Sequence, residues 1–157
     1  MSGHSVGRPY AIGSWEDENG SKPVLDWVKR DLSPRSRRFL GTAMNEVLQE
    51  HGHDVCETEW GKWVDGDIFY FRARDAGITL RVYCHEKVGR VIVLLHGYDK
   101  GIRPAKSYEA RQIGIAKRRL SAWQSGEKRA RKAVRKAAAD ARARRGLGPS
   151  RSGMRRE

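Results

Sequence analysis

Basic and imidazole side chains recur along three short apolar segments in the middle of the chain, and these side chains could do chemistry. The segments lie between Asp67 and Tyr108. The residues concerned are Arg72, Arg74, Arg81, His85, His96, Lys100, Arg103 and Lys106. Guanidinium and ammonium groups bind phosphate oxygens, and the tyrosines among them suit stacking on nucleobases. The pattern indicates a nucleic-acid-binding surface, while a solvated outer sheet face is an alternative that the residues leave open.

The three segments are predicted to be strands of an antiparallel meander. They cover about 67–74, 78–86 and 90–98, with short turns at 75–77 and 87–89. Side chains alternate across a strand, so Phe69 and Phe71 fall on one face and Tyr70, Arg72 and Arg74 on the other. We expect the apolar face to pack on helices and the opposite face to form a cationic concavity.

A strand and two helices are predicted before the meander. The strand lies around residues 9–16. Ser21 with Pro23 in the first turn predicts one helix, and Ser33 followed by Pro34 predicts a second. Gly52 is well placed to end the second helix. Residues 53–66 are predicted to be irregular.

One helix is predicted after the meander and the loop 99–106. It begins near Ser107, and Ile113, Ala116, Leu120 and Trp123 fall on one of its faces. Residues 127–145 are rich in Ala, Arg and Lys, which favour helix, so this stretch can continue the preceding helix. It has little apolar surface to bury.

The positive charge of the chain is concentrated at its end. The net charge of the 157 residues is +13, and residues 117–157 hold 15 Lys and Arg against 3 Asp and Glu. We therefore predict a near-neutral domain at 10–125, a flexible start at 1–9 and a basic helical or disordered extension at 126–157. Such an extension can touch nucleic acid or an anionic membrane, or aid solubility.

Several classes of protein are not favoured by the sequence. The longest apolar run, Val91–Leu95, is too short to cross a bilayer, and no signal peptide is recognisable. Cys56 and Cys84 have no metal or redox spacing, and His51 and His53 lack a second cluster that would complete a metal site. We expect a cytoplasmic protein without metal, cofactor or membrane partner.

The order of these elements resembles the RelE/HigB superfamily of bacterial toxins, in particular its HigB-like, phage Gp49-like branch. The matching segments are PVLDWVKRDL at 23–32, DIFYFRAR at 67–74, TLRVYCHE at 79–86, and VIVLLHGYDKG with two later alanines within 91–116. The resemblance covers roughly residues 10–123 and implies an α+β, microbial-ribonuclease-type fold. In that fold an N-terminal strand and a helical hairpin pack on the meander, and a C-terminal helix follows.

The resemblance also implies an activity, which is cleavage of mRNA on the ribosome. In this chemistry the ribose 2′-hydroxyl attacks the adjacent phosphate without a metal ion. It implies catalytic roles for Arg81, His96, Lys100 and Tyr108, and RNA-binding roles for Arg72, Arg74, Arg103 and Lys106. His96 is the candidate for proton transfer, because the ordinary histidine pKa of about 6.5 suits both acid and base. The implied partners are the ribosome, mRNA and an antitoxin of the helix-turn-helix type.

Two departures from the family pattern affect the catalytic assignment. Tyr70 stands where a glutamate often precedes the first-strand arginine, and Gly101 stands where a second lysine is common. Two other functions stay open on the same residues. One is inhibition of DNA gyrase, as in ParE-like toxins of this fold, and the other is non-enzymatic nucleic-acid binding through the basic extension.

Overall fold

A computed structural model describes residues 8–146, which belong to two compact units divided between Leu120 and Ser121. The first unit contains a five-stranded sheet in the order β1-β5-β4-β3-β2. The strands are β1 (Ala11–Ser14), β2 (Gly61–Asp65), β3 (Ile68–Asp75), β4 (Ile78–Lys87) and β5 (Val91–Asp99). β1 runs parallel to β5, and the other neighbours are antiparallel. The predicted α+β class and the three-strand meander are confirmed.

The helical hairpin before the meander consists of α1 (Pro23–Arg30) and α2 (Pro34–Ala43). Ser33 caps α2 as predicted, since its Oγ accepts a hydrogen bond from the Ser36 N–H at 3.1 Å. The prediction that Ser21 caps α1 was wrong. Lys22 holds the cap position without a side-chain cap, because Asp17 engages Ser21 through its backbone N–H and draws it into the preceding turn.

The helix that begins with α2 does not keep one geometry to its end. It passes through a π-helical turn at Met44–Leu48 and a last α-turn, α3 (Gln49–His51). Gly52 then ends it as predicted, with a φ of 57° that glycine adopts at little cost.

Residues 53–66 were wrongly predicted to be irregular. Gly52–Glu57 form a 3₁₀-helix, and Gly61–Asp65 form β2. The alternation in β2 is masked because this edge strand exposes most of its residues. Its pairing with β3, with Trp63 opposite Phe69, is a long-range contact that local patterning does not encode.

The hydrophobic core lies between one face of the sheet and the hairpin. The predicted apolar face is confirmed, because Phe69, Phe71 and Ala73 are fully buried there beside Leu40 and Leu48. Leu80, Val82 and Cys84 of β4 lie directly opposite Ala73, Phe71 and Phe69 of β3. The opposite face carries Tyr70, Arg72, Arg74 and Arg81, as strand parity predicted.

That opposite face is not left open as a broad cationic concavity, which corrects the expectation. Helix α4 (Lys106–Arg144) begins one residue before the predicted Ser107, and its first turns belong to the first unit. Gln112, Ala116 and Leu120 are buried on it, and its side chains bond to the sheet residues Arg81 and His96. The covered strands contribute Tyr83 and Leu95, which are fully buried.

The second unit, as far as it is described, is the continuation of α4 to Arg144. The prediction that residues 127–145 can extend the preceding helix is therefore confirmed up to Arg144. Every residue from Lys128 to Asp140 is exposed. The rest of the predicted extension, residues 147–157, lies outside the described part of the chain, as do the first seven residues. Within residues 8–146, no helix combines the length and apolarity that crossing a membrane requires.

Gly97→Ala is expected to destabilise the first unit. Gly97 lies in β5 under Trp27 of α1, and a Cβ atom there would stand 2.5 Å from the Trp27 Cζ3 atom. Overpacking of this kind costs roughly 1–3 kcal/mol in the free energy of unfolding, which urea unfolding measures. Gly41→Ala in α2 is the control, since its Cβ would meet nothing within 4 Å and should add about 0.5–1 kcal/mol. A Gly97→Ala variant as stable as the wild type would contradict this packing.

Candidate active site

A cleft of about 530 Å³ opens between the sheet and the first turns of α4. Strands β2, β3 and β4, the loop after β5 and α4 each contribute to its wall. The lining residues are Lys62, Trp63, Val64, Tyr70, Arg81, Lys100, Lys106, Glu109, Ala110 and Ile113. Four of these carry a positive charge and one carries a negative charge. We call this the Arg81 cleft.

Glu109 joins two of the predicted catalytic residues inside the Arg81 cleft. Arg81 Nη1 donates to Glu109 Oε2 at 2.7 Å, and Lys100 Nζ donates to Glu109 Oε1 at 3.3 Å. Lys100 Nζ also donates to the Pro104 carbonyl at 3.0 Å, which ties the basic loop to the site. Three residues distant in sequence thus form one cation–carboxylate–cation arrangement.

The three elements that carry these side chains explain how they meet. Arg81 lies in the centre of β4, on the face turned toward α4, where it pairs with Arg72 and Tyr98. Glu109 lies in the first turn of α4, where a carboxylate interacts favourably with the positive end of the helix dipole. Lys100 directly follows β5, and its N–H donates to the Thr79 carbonyl at 2.9 Å.

Both members of the ion pair between Arg81 and Glu109 are held in their charged forms. Burial lowers the pKa of Arg81, but Tyr70, Tyr98 and Glu109 outweigh it, so that the pKa is raised overall. For Glu109 the effects are reversed. Burial raises the pKa of its carboxyl group, but Arg81 and Lys100 lower it more, so that the pKa is lowered overall. The guanidinium also lies 4.3 Å from the centre of the Tyr70 ring, in cation–π geometry. The site therefore presents a fixed cation and an ionised carboxylate at neutral pH.

His96 lies in a different cleft, of about 410 Å³, whose lining includes Trp27, Arg103, Tyr108 and Arg119. Arg119 Nη1 donates to His96 Nδ1 at 3.1 Å, so His96 Nε2 carries the proton that it donates to Gln112 Oε1. Burial, together with the charge of Arg119, lowers the pKa of His96 although the Gln112 hydrogen bond opposes this. His96 is thus a neutral imidazole with both nitrogens engaged.

Tyr108 and Arg103 share the His96 cleft rather than the Arg81 cleft. The Tyr108 ring has Arg103 at 5.1 Å and Arg111 at 5.5 Å from its centre, and it lies 5.5 Å from the Tyr98 ring. The α4 backbone therefore separates Tyr108 from its neighbour in sequence, Glu109, by pointing the two side chains into different clefts.

Arg72 and Arg74 occupy a third place, a small cavity of about 60 Å³ next to Glu59 and Trp60. Arg72 Nε donates to the Glu59 carbonyl at 3.0 Å. The structure therefore distributes the eight predicted site residues over three locations. Arg81, Lys100 and Lys106 share one, His96, Arg103 and Tyr108 share the second, and Arg72 and Arg74 form the third.

Glu109 and Lys62 are the cleft residues that sequence reasoning missed. A signal for Glu109 exists, because it is the only acidic residue between Lys100 and Gly126 in the sequence. One carboxylate in so basic a stretch indicates a specific cationic partner. Lys62 had no such signal, since its strand was not predicted.

His53, two residues after α3, has a structural partner. His53 Nδ1 lies 2.8 Å from Glu86 Oε1, and the same oxygen accepts from the His53 backbone N–H at 2.9 Å. Among residues 8–146 no three His, Cys, Asp or Glu side chains come together in a metal-binding arrangement.

The fold and the cleft define a class, which is the α+β proteins of the RelE type. Residues 28–121 match the model of the family described as Phage derived protein Gp49-like (DUF891), and the chain belongs to this family of RelE-like, toxin-type proteins. The matched range includes Arg81, Lys100 and Glu109. No curated protein matches the chain.

His96→Gln is expected to reduce the loss of the free energy of unfolding as the pH falls below about 6.5. The folded-state pKa of His96 is lowered, so its contribution to stability is present above the ordinary histidine pKa of about 6.5 and is lost as pH falls toward the folded-state pKa. Urea unfolding at a series of pH values between about 8 and 5 measures this slope.

His53→Gln is the control of opposite sign. The Glu86 hydrogen bond raises the pKa of His53. The contribution of His53 to the free energy of unfolding is therefore present at low pH and is lost as pH rises through the folded-state pKa. Removing His53 should steepen the loss of stability in acid. If both variants changed the slope in the same direction, the neutral state assigned to His96 would be wrong.

Proposed function

We propose that the protein is the toxin of a type II toxin–antitoxin pair and acts as a ribosome-dependent mRNA endoribonuclease. The observation that carries the proposal is the Arg81–Glu109–Lys100 arrangement in the Arg81 cleft, within the part of the chain that matches the Gp49-like family. Metal-free cleavage of RNA needs cations on the phosphate, a base for the 2′-hydroxyl and an acid for the leaving oxygen. The cleft provides a group suited to each task.

In the proposed mechanism, Arg81 and Lys106 bind the oxygens of the scissile phosphate. Glu109 takes the proton of the ribose 2′-hydroxyl, whose oxygen forms a new bond to phosphorus. The bond from phosphorus to the 5′-oxygen breaks, leaving a 2′,3′-cyclic phosphate, and the Lys100 ammonium protonates the departing oxygen. Arg81 stabilises the negative charge that develops on the phosphorane, where a rigid guanidinium is most effective.

This assignment replaces His96 as the proton-transfer residue. The imidazole has both nitrogens engaged by Gln112 and Arg119, and it lies in the other cleft. Glu109 is the only acid among the residues that line the Arg81 cleft, and its position next to two cations keeps it ionised, so that it has a free oxygen lone pair for a proton. Lys62, which also lines the cleft, would contact a neighbouring nucleotide.

A cognate antitoxin is the partner that a toxin of this kind requires, and we propose one of the helix-turn-helix type. An acidic segment of such a protein would complement Lys62, Lys100 and Lys106 at the cleft. Covering these lysines would block RNA entry and so inhibit the toxin directly.

Arg81→Ala should reduce mRNA cleavage on translating ribosomes by about 10²–10³-fold, because it removes the proposed phosphate clamp. Glu109→Gln should reduce cleavage by about 10²–10⁴-fold, as expected for loss of a general base. Arg81→Lys keeps the charge and should retain part of the activity. Mapping of new mRNA 5′-ends, in cells and in a purified translation system, measures all three.

Lys29→Gln is the matched control for loss of one positive charge, since Lys29 is exposed on α1 and lines none of the described clefts. It should cleave like the wild type. Circular dichroism of each variant separates loss of chemistry from loss of fold. Growth arrest without new mRNA ends would sink the nuclease proposal and favour gyrase inhibition. Activity that disappears only when residues 127–157 are deleted would favour the binding-module alternative.

A further inference from the structure

Six basic residues of the second unit share one side of a helix. Residues 121–144 are helical as the second part of α4. With successive residues turned by about 100°, the six fall within a sector of about 140° and span about 21 Å along the axis. They are Lys128, Arg131, Lys132, Arg135, Lys136 and Arg142. We call this set the basic stripe.

The other side of the same helix is mostly small and apolar. Ala130, Ala133, Val134, Ala137 and Ala141 fall within a sector of about 100° opposite the basic stripe, and Arg144, the last residue of α4, falls in the same sector. The six stripe residues are all exposed. Lys136 pairs with Asp140 at 3.3 Å, and the two side chains keep 77% and 53% exposure, so the pair leaves the charge of the stripe accessible.

We propose that the basic stripe binds the phosphate backbone of double-helical RNA. Its Lys and Arg side chains repeat about every helical turn, so several phosphates can be contacted along one groove edge. From Lys128 to Gly146 the side chains are only those of Lys, Arg, Ala, Val, Asp and Gly. This set lacks the aromatic rings on which single-stranded bases stack and the amides that read adenine edges. The stripe is therefore suited to a duplex backbone rather than to single strands.

A membrane surface fits the same charge less well. Helices that lie in a bilayer interface bury large side chains such as Trp, Phe and Leu on the face opposite their lysines and arginines. The opposite face here consists of alanines, one valine and, at its end, Arg144, and Val134 is 68% exposed. The apolar area available for insertion is therefore small.

The choice of RNA over DNA rests on the proposed function, since a ribosome presents RNA double helices over much of its surface. The stripe would hold the protein there while the Arg81 cleft acts on mRNA. Binding by the stripe and cleavage by the cleft use different residues, so each can fail alone.

The test compares two double variants of the full chain that lose the same charge. Lys132→Gln with Arg135→Gln removes two members of the stripe, and Arg144→Gln with Arg145→Gln removes two cations outside it. Anisotropy of a labelled 20-base-pair RNA hairpin is measured at several salt concentrations. The stripe variant should bind about tenfold more weakly at low salt, with a salt slope reduced by about 1–2, because two phosphate contacts are lost. The dissociation constant of the control variant for the hairpin should stay within about threefold of the wild-type value.

Several outcomes would overturn the proposal. An equal loss of affinity for the hairpin in the two double variants would mean that net charge alone decides binding. Tighter binding of single-stranded RNA or of duplex DNA would exclude duplex RNA as the occupant, and binding only to vesicles of anionic lipid would assign the stripe to a membrane. The mRNA cleavage assay is scored separately, so failure of the nuclease proposal leaves the hairpin result interpretable.

Discussion

The ion pair between Arg81 and Glu109 is the contact on which the rest of the site depends. The Arg81 side chain is only 10% exposed, and a guanidinium so deeply placed on a central strand needs a counter-charge. Glu109 supplies it from the first turn of α4, across the face of the sheet. The same contact therefore fixes where α4 begins to cross the sheet and creates the wall of the cleft. Removing Glu109 would leave the buried guanidinium of Arg81 without its counter-charge, whereas Glu109 without Arg81 would keep Lys100 as a partner.

The path of α4 divides a set of similar residues into different chemical environments. On one side, Arg81, Lys100 and Lys106 surround an ionised carboxylate in an open cleft. On the other, His96 is desolvated and held neutral between Gln112 and Arg119. A histidine suggests proton transfer on reference pKa alone, but its surroundings decide the chemistry. Here they hold the imidazole of His96 neutral and the carboxylate of Glu109 ionised.

The family match and the division into units separate two parts of the protein. The match ends at residue 121, next to the boundary between Leu120 and Ser121, and the second unit carries a charge pattern of its own. Buried polar contacts define the cleft, whereas solvent-exposed cations define the basic stripe. The first depends on precise packing, while the second depends on helical periodicity and is screened by salt.

Local sequence determined every strand except β2, the two faces of the meander and several helix ends, because side-chain alternation, proline caps and glycine are short-range signals. Phe69 and Phe71 were assigned to the core by parity, and Ser33 and Gly52 marked the limits of the second helix. Tertiary structure alone decided which elements cover one another. Edge strand β2 exists because it pairs with β3, and the broad cationic face became two clefts because α4 lies on it. Arg81 and Lys100 were recognisable from the sequence, and the isolated carboxylate of Glu109 indicates a cationic partner. Which cation it binds was decided by the fold alone, since Glu109 lies 28 residues from Arg81 in the sequence.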